Sequence, residues 1–225
     1  MYSNRIVRSA VQINDAMLAV YGHMALAIVT SMVVSALIGY NHDAMALLFG
    51  TPLKWLVMFA PLVAIIGISF VMARNPSKSV AVAMLHGFAA IMGLSFSIIF
   101  VVYTLGSIWS AFAGAAILFG TMTFYGYFTR RSLDSMGQFL FVGLIAIIIA
   151  SLVNIWLQNS VMQMVVSAMA VIIFTGLTAY DTQKIREEVS YDAGNGTAEI
   201  RGALTLYLDF INIFLSLLHL FGDRK

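Results

Sequence analysis

Seven runs of roughly twenty apolar residues, separated by short polar breaks, leave this chain few ways to fold. A hydrocarbon layer about 30 Å thick takes roughly 20 residues of helix to cross, and each backbone N–H and C=O inside it needs an internal partner. Runs of that length therefore read as membrane-spanning helices, here at residues 17–38, 53–73, 80–104, 108–128, 137–157, 162–183 and 203–221. The predicted fold class is an all-α membrane protein, a seven-transmembrane helix bundle over 17–221. A tail at 1–16 precedes it and a short tail at 222–225 follows. With 61% hydrophobic and 10% charged residues, the composition lies outside the range of soluble domains and agrees with this reading. The polar tail leads into a run too long for a signal-peptide core, without an obvious cleavage signal, and so reads as part of the mature protein.

The breaks carry turn residues in "GYNHDA" and in "ARNPSK", where Pro76 disfavours helix at Asn75. Only 186–201 is long enough for a substantial loop. Arg5, Arg8, Arg74, Lys78, Arg130, Arg131, Lys184, Arg186 and Arg201 all fall on the side of the N-terminus, and Lys54 alone among the loops on the other. That asymmetry puts the N-terminus in the cytoplasm. Arg224 and Lys225 come out on the far side if the last helix crosses fully, and return to the cytoplasm if it stops short. The sequence leaves both open. Without a basic block or aromatic–basic interleaving there is no nucleic-acid partner to expect. The absence of cysteine excludes disulfides, thiolate metal sites and cysteine nucleophiles.

Within "LTLYLDFINIFLSLLHLF", residues 204–221, an aspartate interrupts the apolar run. Thr205, Asp209, Asn212, Ser216 and His219 follow one another at intervals of 4, 3, 4 and 3, which places them on one helix face. A charged side chain at mid-bilayer costs at least about 2.5–3.5 kcal/mol, so this polar seam faces other helices or water. A second carboxylate ends the sixth run in "GLTAYDTQKIRE", where Thr175, Thr178 and Asp181 are spaced by three. Consecutive helices run antiparallel, and at about 1.5 Å of rise per residue Asp181 and Asp209 fall within about one turn of the same depth. By position alone Asp181 reads at least equally as a helix-end acid reaching water beside Lys184. If the two meet, two carboxylates at close range in a poorly solvated site do not both ionise easily, and such a pair holds a proton in common.

Other polar and glycine positions read as packing. His86 shares a face with Ala90, Gly93 and Ser97, while His23 and His219 have no partner at metal-ligand spacing. Gly114, Gly120 and Gly126 suggest close approach in the fourth span, and Ser151, Asn154 and Gln158 form a polar stripe near the outer end of the fifth. Structural hydrogen bonding is the first reading of that stripe, the lining of an outer vestibule the second.

"GLTAYDTQKI" and "LYLDFINIFLSLL", together with "VNIWL" in the fifth span, resemble the signature stretches of the transmembrane Bax inhibitor motif family in its bacterial branch. The resemblance implies a last helix wrapped centrally by the other six, and an aspartate pair near the cytoplasmic face, Asp181 and Asp209, acting as a pH-sensitive gate for calcium leak. It further implies that Arg74, in "SFVMARN", latches onto Asp181, although by position alone Arg74 is equally an interfacial anchor. Some bacterial relatives carry a glutamate in the second span; "APLVAIIGI" has none, so no further calcium ligand is expected there. Pore-lining polar groups would be Thr178, Thr205, Asn212 and Ser216, with Asp181 and Asp209 as transient calcium ligands. Partners are then the bilayer, calcium and protons, and no cofactor or enzymatic activity is implied.

Rival readings differ in class. An intramembrane aspartyl protease fits "AYD" but not the second motif, since Leu206, Tyr207 and Leu208 precede Asp209 where a Gly-x-Gly would be needed. A retinal pigment needs a buried lysine, and Lys54, Lys78, Lys184 and Lys225 all lie at span ends. A non-conducting regulator of a membrane-protein partner and a proton-coupled calcium antiporter both fit the sequence. For topology, single cysteines at Ser132 and Thr197 are expected to react with impermeant reagents only from the cytoplasm, and one at Asn159 only from outside. Outside labelling at Ser132 or Thr197 would invert the orientation.

Overall fold

The computed structural model describes residues 8–191 and 196–225, so Arg5 lies outside the described residues. Among them the helices are α1 (Ala10–Gly39), α2 (His42–Phe49), α3 (Leu53–Met72), α4 (Lys78–Phe96), α5 (Ile99–Val102), α6 (Leu105–Phe128), α7 (Asp134–Leu157), α8 (Ser160–Ser190) and α9 (Thr197–Phe221), with no strand. Seven segments are long and apolar enough to cross a membrane, α4 and α5 counting as one. The chain is an all-α membrane protein with seven spanning helices, as its apolar runs predict.

The boundaries differ from those runs because a helix does not end where its hydropathy does. Ser9 and Gln12 form a reciprocal capping box, Ser9 N to Gln12 Oε1 at 2.9 Å and Gln12 N to Ser9 Oγ at 3.4 Å, so α1 begins within the expected N-terminal tail. The expected loop at 186–201 is largely helix, belonging to the ends of α8 and α9, with 192–195 outside the described residues. The break after the first span holds α2, which Asn41 caps by accepting from Ala44 N at 3.0 Å. The third span is interrupted between α4 and α5 at Ser97 and Ile98.

Two compact units divide the chain, one of Met1–Thr104, Glu188–Tyr207 and Arg224–Lys225, the other of Leu105–Glu187 and Leu208–Asp223. In the first unit α1 lies so close to α4 that a methyl added at Gly93 would sit 2.7 Å from Ser31 O, which supports the packing role read for the His86 face. His86 Nδ1 also pairs with Thr30 Oγ1 at 3.0 Å. Ser31 Oγ reaches Ala89 O at 2.9 Å and Tyr207 OH at 2.6 Å. A serine has one hydroxyl proton, so when Ser31 donates to a carbonyl Tyr207 donates to Ser31. These bonds fix the fully buried Tyr207 ring against Phe88.

Charge ties together one end of this unit. Glu199, in the first turn of α9, accepts from Arg8 Nη1 at 3.1 Å and Lys78 Nζ at 3.4 Å. A carboxylate there also meets the positive end of its own helix dipole. Thr197 Oγ1 donates to Pro76 O at 2.9 Å, and Arg201 Nη1 to Asn75 Oδ1 at 3.1 Å. At the other end, where α4 and α5 finish, Lys225 N donates to Val102 O at 2.9 Å and Lys225 Nζ to Phe100 O at 2.8 Å. Lys225 thus lies at the opposite end of the unit from Arg8.

In the second unit α7 runs antiparallel to α8, with Gly137 against the Tyr180 ring, Gly176 against Leu140 and Gly143 against Ile173. On α6, Gly126 packs directly on the Ala179 carbonyl of α8, and Gly114 lies beside Leu217 of α9. Gly120 meets nothing, which corrects the expectation that it marks a close approach. Phe210 of α9 stacks edgewise on Phe112 and Phe119 of α6 at 5.3 and 5.8 Å. The C-terminal turns of α8 are pinned by Gln183, which accepts from Leu133 N and donates to Arg131 O, both at 2.9 Å. Arg186 adds a bond to Tyr127 O at 3.0 Å with its guanidinium over the same ring. The stripe in α7 is structural: buried Asn154 accepts from Asn159 N at 3.0 Å, Gln158 ends the helix at φ 49°, and Ser151 donates to Ile147 O.

Gly126→Val is expected to lower thermal stability by about 1–3 kcal/mol through overpacking, whereas Gly120→Ala should be neutral or add up to about 1 kcal/mol by helix propensity. Equal effects on melting temperature would contradict this packing. A cysteine at Gly222 is expected to label from the face opposite Ser132, whereas Thr197, buried and bonded to Pro76 O, is closed to the reagent and drops out as a labelling position.

Candidate functional site: a buried carboxyl pair

Asp209 lies about halfway along α9 and is only 4% exposed. Asp181 lies on α8, two residues beyond the Ala179 carbonyl that seats α6, and is half-buried. The two carboxyls lie within interaction range of each other. Two carboxylates offer only acceptors, so a direct bond between them needs a proton on one. The other Asp209 oxygen, Oδ2, is buried without a hydrogen-bond partner.

The helices hold this arrangement for local reasons. Gly126 admits α6 to the backbone of α8, and Gln183 and Arg186 fix the turns on the far side of Asp181. On α9, Phe210 directly after Asp209 is clasped by two rings of α6, which sets the rotation of the helix. The remaining seam residues mostly satisfy themselves on their own helix: Thr205 Oγ1 donates to Arg201 O at 3.2 Å, Asn212 Nδ2 to Leu208 O at 2.7 Å, and Thr178 Oγ1 to Phe174 O at 2.8 Å. Ser216 is buried, whereas His219 at the end of the seam is exposed. The seam therefore leaves the interior before α9 ends.

Asp181, Asp209, Thr178, Asn212 and Ser216 all belong to the second unit, and Arg74 and Thr205 to the first. Arg74 is exposed just past α3, with its N–H on Val71 O at 3.0 Å. Among the described residues no group of three or more His, Cys, Asp or Glu is placed to hold a metal. Calcium takes six to eight oxygens, so the pair alone offers a passing contact. Three features escape a reading of the sequence. Glu199 hides in a stretch that resembles a loop, Gln183 in a motif whose aspartate draws the eye, and Thr123 in an apolar run where its spacing from Gly126 is the one available signal.

Residues 13–225 match the sequence profile of a family described as "Inhibitor of apoptosis-promoting Bax1". The inner membrane protein YbhL of Escherichia coli strain K12 is 38% identical over 228 residues, spanning 99% of this chain and 97% of that protein. An uncharacterized protein of Rickettsia prowazekii is 39% identical over 93% of this chain and 89% of its own length. The protein YrjE of Lactococcus lactis is 37% identical over 90% of this chain and 88% of its own. With the profile covering nearly the whole sequence and spanning helices throughout, the chain belongs to the Bax inhibitor family of membrane proteins.

Proposed function

We propose that the protein is a pH-sensitive calcium leak channel of the bacterial inner membrane, N-terminus in the cytoplasm, gated by the Asp181–Asp209 pair. The observation that carries this reading is the proximity of two carboxyls on spanning helices, a setting in which one proton can serve both. A proton held by two residues on adjacent helices makes their contact depend on pH. A second proton neutralises the remaining charge, and loss of the first sets two carboxylates against each other in a poorly solvated site. Either change releases carboxylate oxygens or the cation drawn to them, the role assigned to Arg74. Calcium then passes along the seam of α9, with Thr178, Asn212, Ser216 and Thr205 beside the path.

Purified protein in calcium-loaded liposomes tests this directly. Protein-dependent calcium release that varies with pH is expected. Release that requires an opposing proton gradient would make the protein an antiporter, and absence of release from folded, oriented protein at every pH would favour a non-conducting regulator. Asp209→Asn keeps the side chain's size and removes the titratable proton, so its flux should lose most of its pH response, and Asp181→Asn should do nearly the same. The double variant should resemble either single one, because a shared proton is lost only once. Arg74→Ala should raise basal flux. Additive effects of the two asparagine variants would return Asp209 to a purely structural role.

A further inference from the structure

Threonine in a helix ordinarily returns its proton to the carbonyl four residues back, and Thr121, Thr178 and Thr182 all do so, at 2.7, 2.8 and 2.7 Å. Thr123 and Thr175 do not. Their hydroxyl oxygens are buried without a hydrogen-bond partner, as is Asp209 Oδ2. All three belong to the second unit.

The helix registers bring these oxygens to one junction. Thr123 on α6 lies four residues after Phe119, which meets Phe210 of α9, and three before Gly126, which meets Ala179 of α8. Its face therefore looks between α9 and α8. Thr175 lies four residues before Ala179, the contact with α6, while Ile173 and Gly176 on either side of it face α7. Its hydroxyl is turned from α7 toward the same junction. Asp209 enters the junction from α9. By helix register, three oxygens without a hydrogen-bond partner, one of them on a carboxyl, thus face one junction.

We propose that Thr123, Thr175 and Asp209 Oδ2 form a second cation-coordinating site at the α6–α8–α9 junction, next to the aspartate pair and taking a hard, oxygen-seeking ion of the calcium class. The site rests on the calcium-leak reading for its physiological role, but its chemistry stands separately. Every donor is a hydroxyl or carboxyl oxygen, the ligand type calcium selects, and none is a nitrogen or sulfur that would favour zinc or copper. An ion leaving Asp181 would find at Thr123 and Thr175 neutral oxygens in place of part of its hydration shell. Two hydroxyls and one carboxyl oxygen leave several positions to water, so binding is weak enough for release.

The test uses full-length protein in detergent, with radioactive calcium in equilibrium dialysis and thermal melting measured on the same samples, and calcium release measured in liposomes. Thr123→Val and Thr175→Val replace an unpartnered hydroxyl by a methyl of similar size, so melting temperature should be unchanged or higher. Calcium affinity should fall severalfold for each and about tenfold or more for the double variant, and Thr→Ser at either position should keep it. Thr121→Val, whose hydroxyl is already satisfied by Ile117, should leave binding unchanged. Valine variants that bind calcium like the wild type, a wild type that binds none up to millimolar concentration, or a melting temperature lowered by valine would overturn the site. Binding weakened by valine with no wild-type flux would leave the site standing and remove the leak-channel reading. Flux and binding indifferent to valine would do the reverse.

Discussion

A carboxyl group inside hydrocarbon must find a partner, a proton or water, because left charged and alone it costs more than one side chain's packing returns. Asp209 has Asp181 on the adjacent helix within reach, and contacts of the second unit hold the helices that carry the two. Gly126 lets α6 lie against the α8 backbone, Gln183 and Arg186 hold the turns beyond Asp181, and the rings around Phe210 fix how far α9 is rotated. A change in any of these contacts alters the distance between the two carboxyls.

The first unit handles its polar groups differently. Glu199 is nearly as buried as Asp209, yet two cations, Arg8 and Lys78, satisfy it directly. No shared proton is required there. Tyr207, two residues before Asp209 on the same helix, is anchored by Ser31 through hydroxyl bonds. A single helix thus carries a charge-compensated end and, about three turns further on, a buried carboxyl beside a second one.

Much of this is visible in the sequence because polar residues are conspicuous in apolar runs. The 4–3–4–3 spacing from Thr205 exposes the seam, and the matching depths of Asp181 and Asp209 on consecutive antiparallel helices already suggest that the two meet. What hydropathy hides is helix continuing past the apolar run: Ser190 and Thr197 close a break that reads as a loop, and the Glu199 cluster disappears into it. Capping explains α1 and α2 in the same way. Gly120 and Gly126 look alike in sequence and differ only in what lies opposite, a property of another helix. Thr121 and Thr123 likewise part company only through what their hydroxyls find once folded.

The proposal that the pair shares a proton is open to infrared difference spectroscopy of the protein in bilayers as pH is stepped. A protonated carboxyl gives a carbonyl stretching band distinct from that of a carboxylate, and its position reports the hydrogen bond it makes. A proton held jointly predicts one such band that shifts or vanishes in Asp181→Asn and in Asp209→Asn alike. A band that responds to one substitution and ignores the other would contradict a shared proton, and with it the gate.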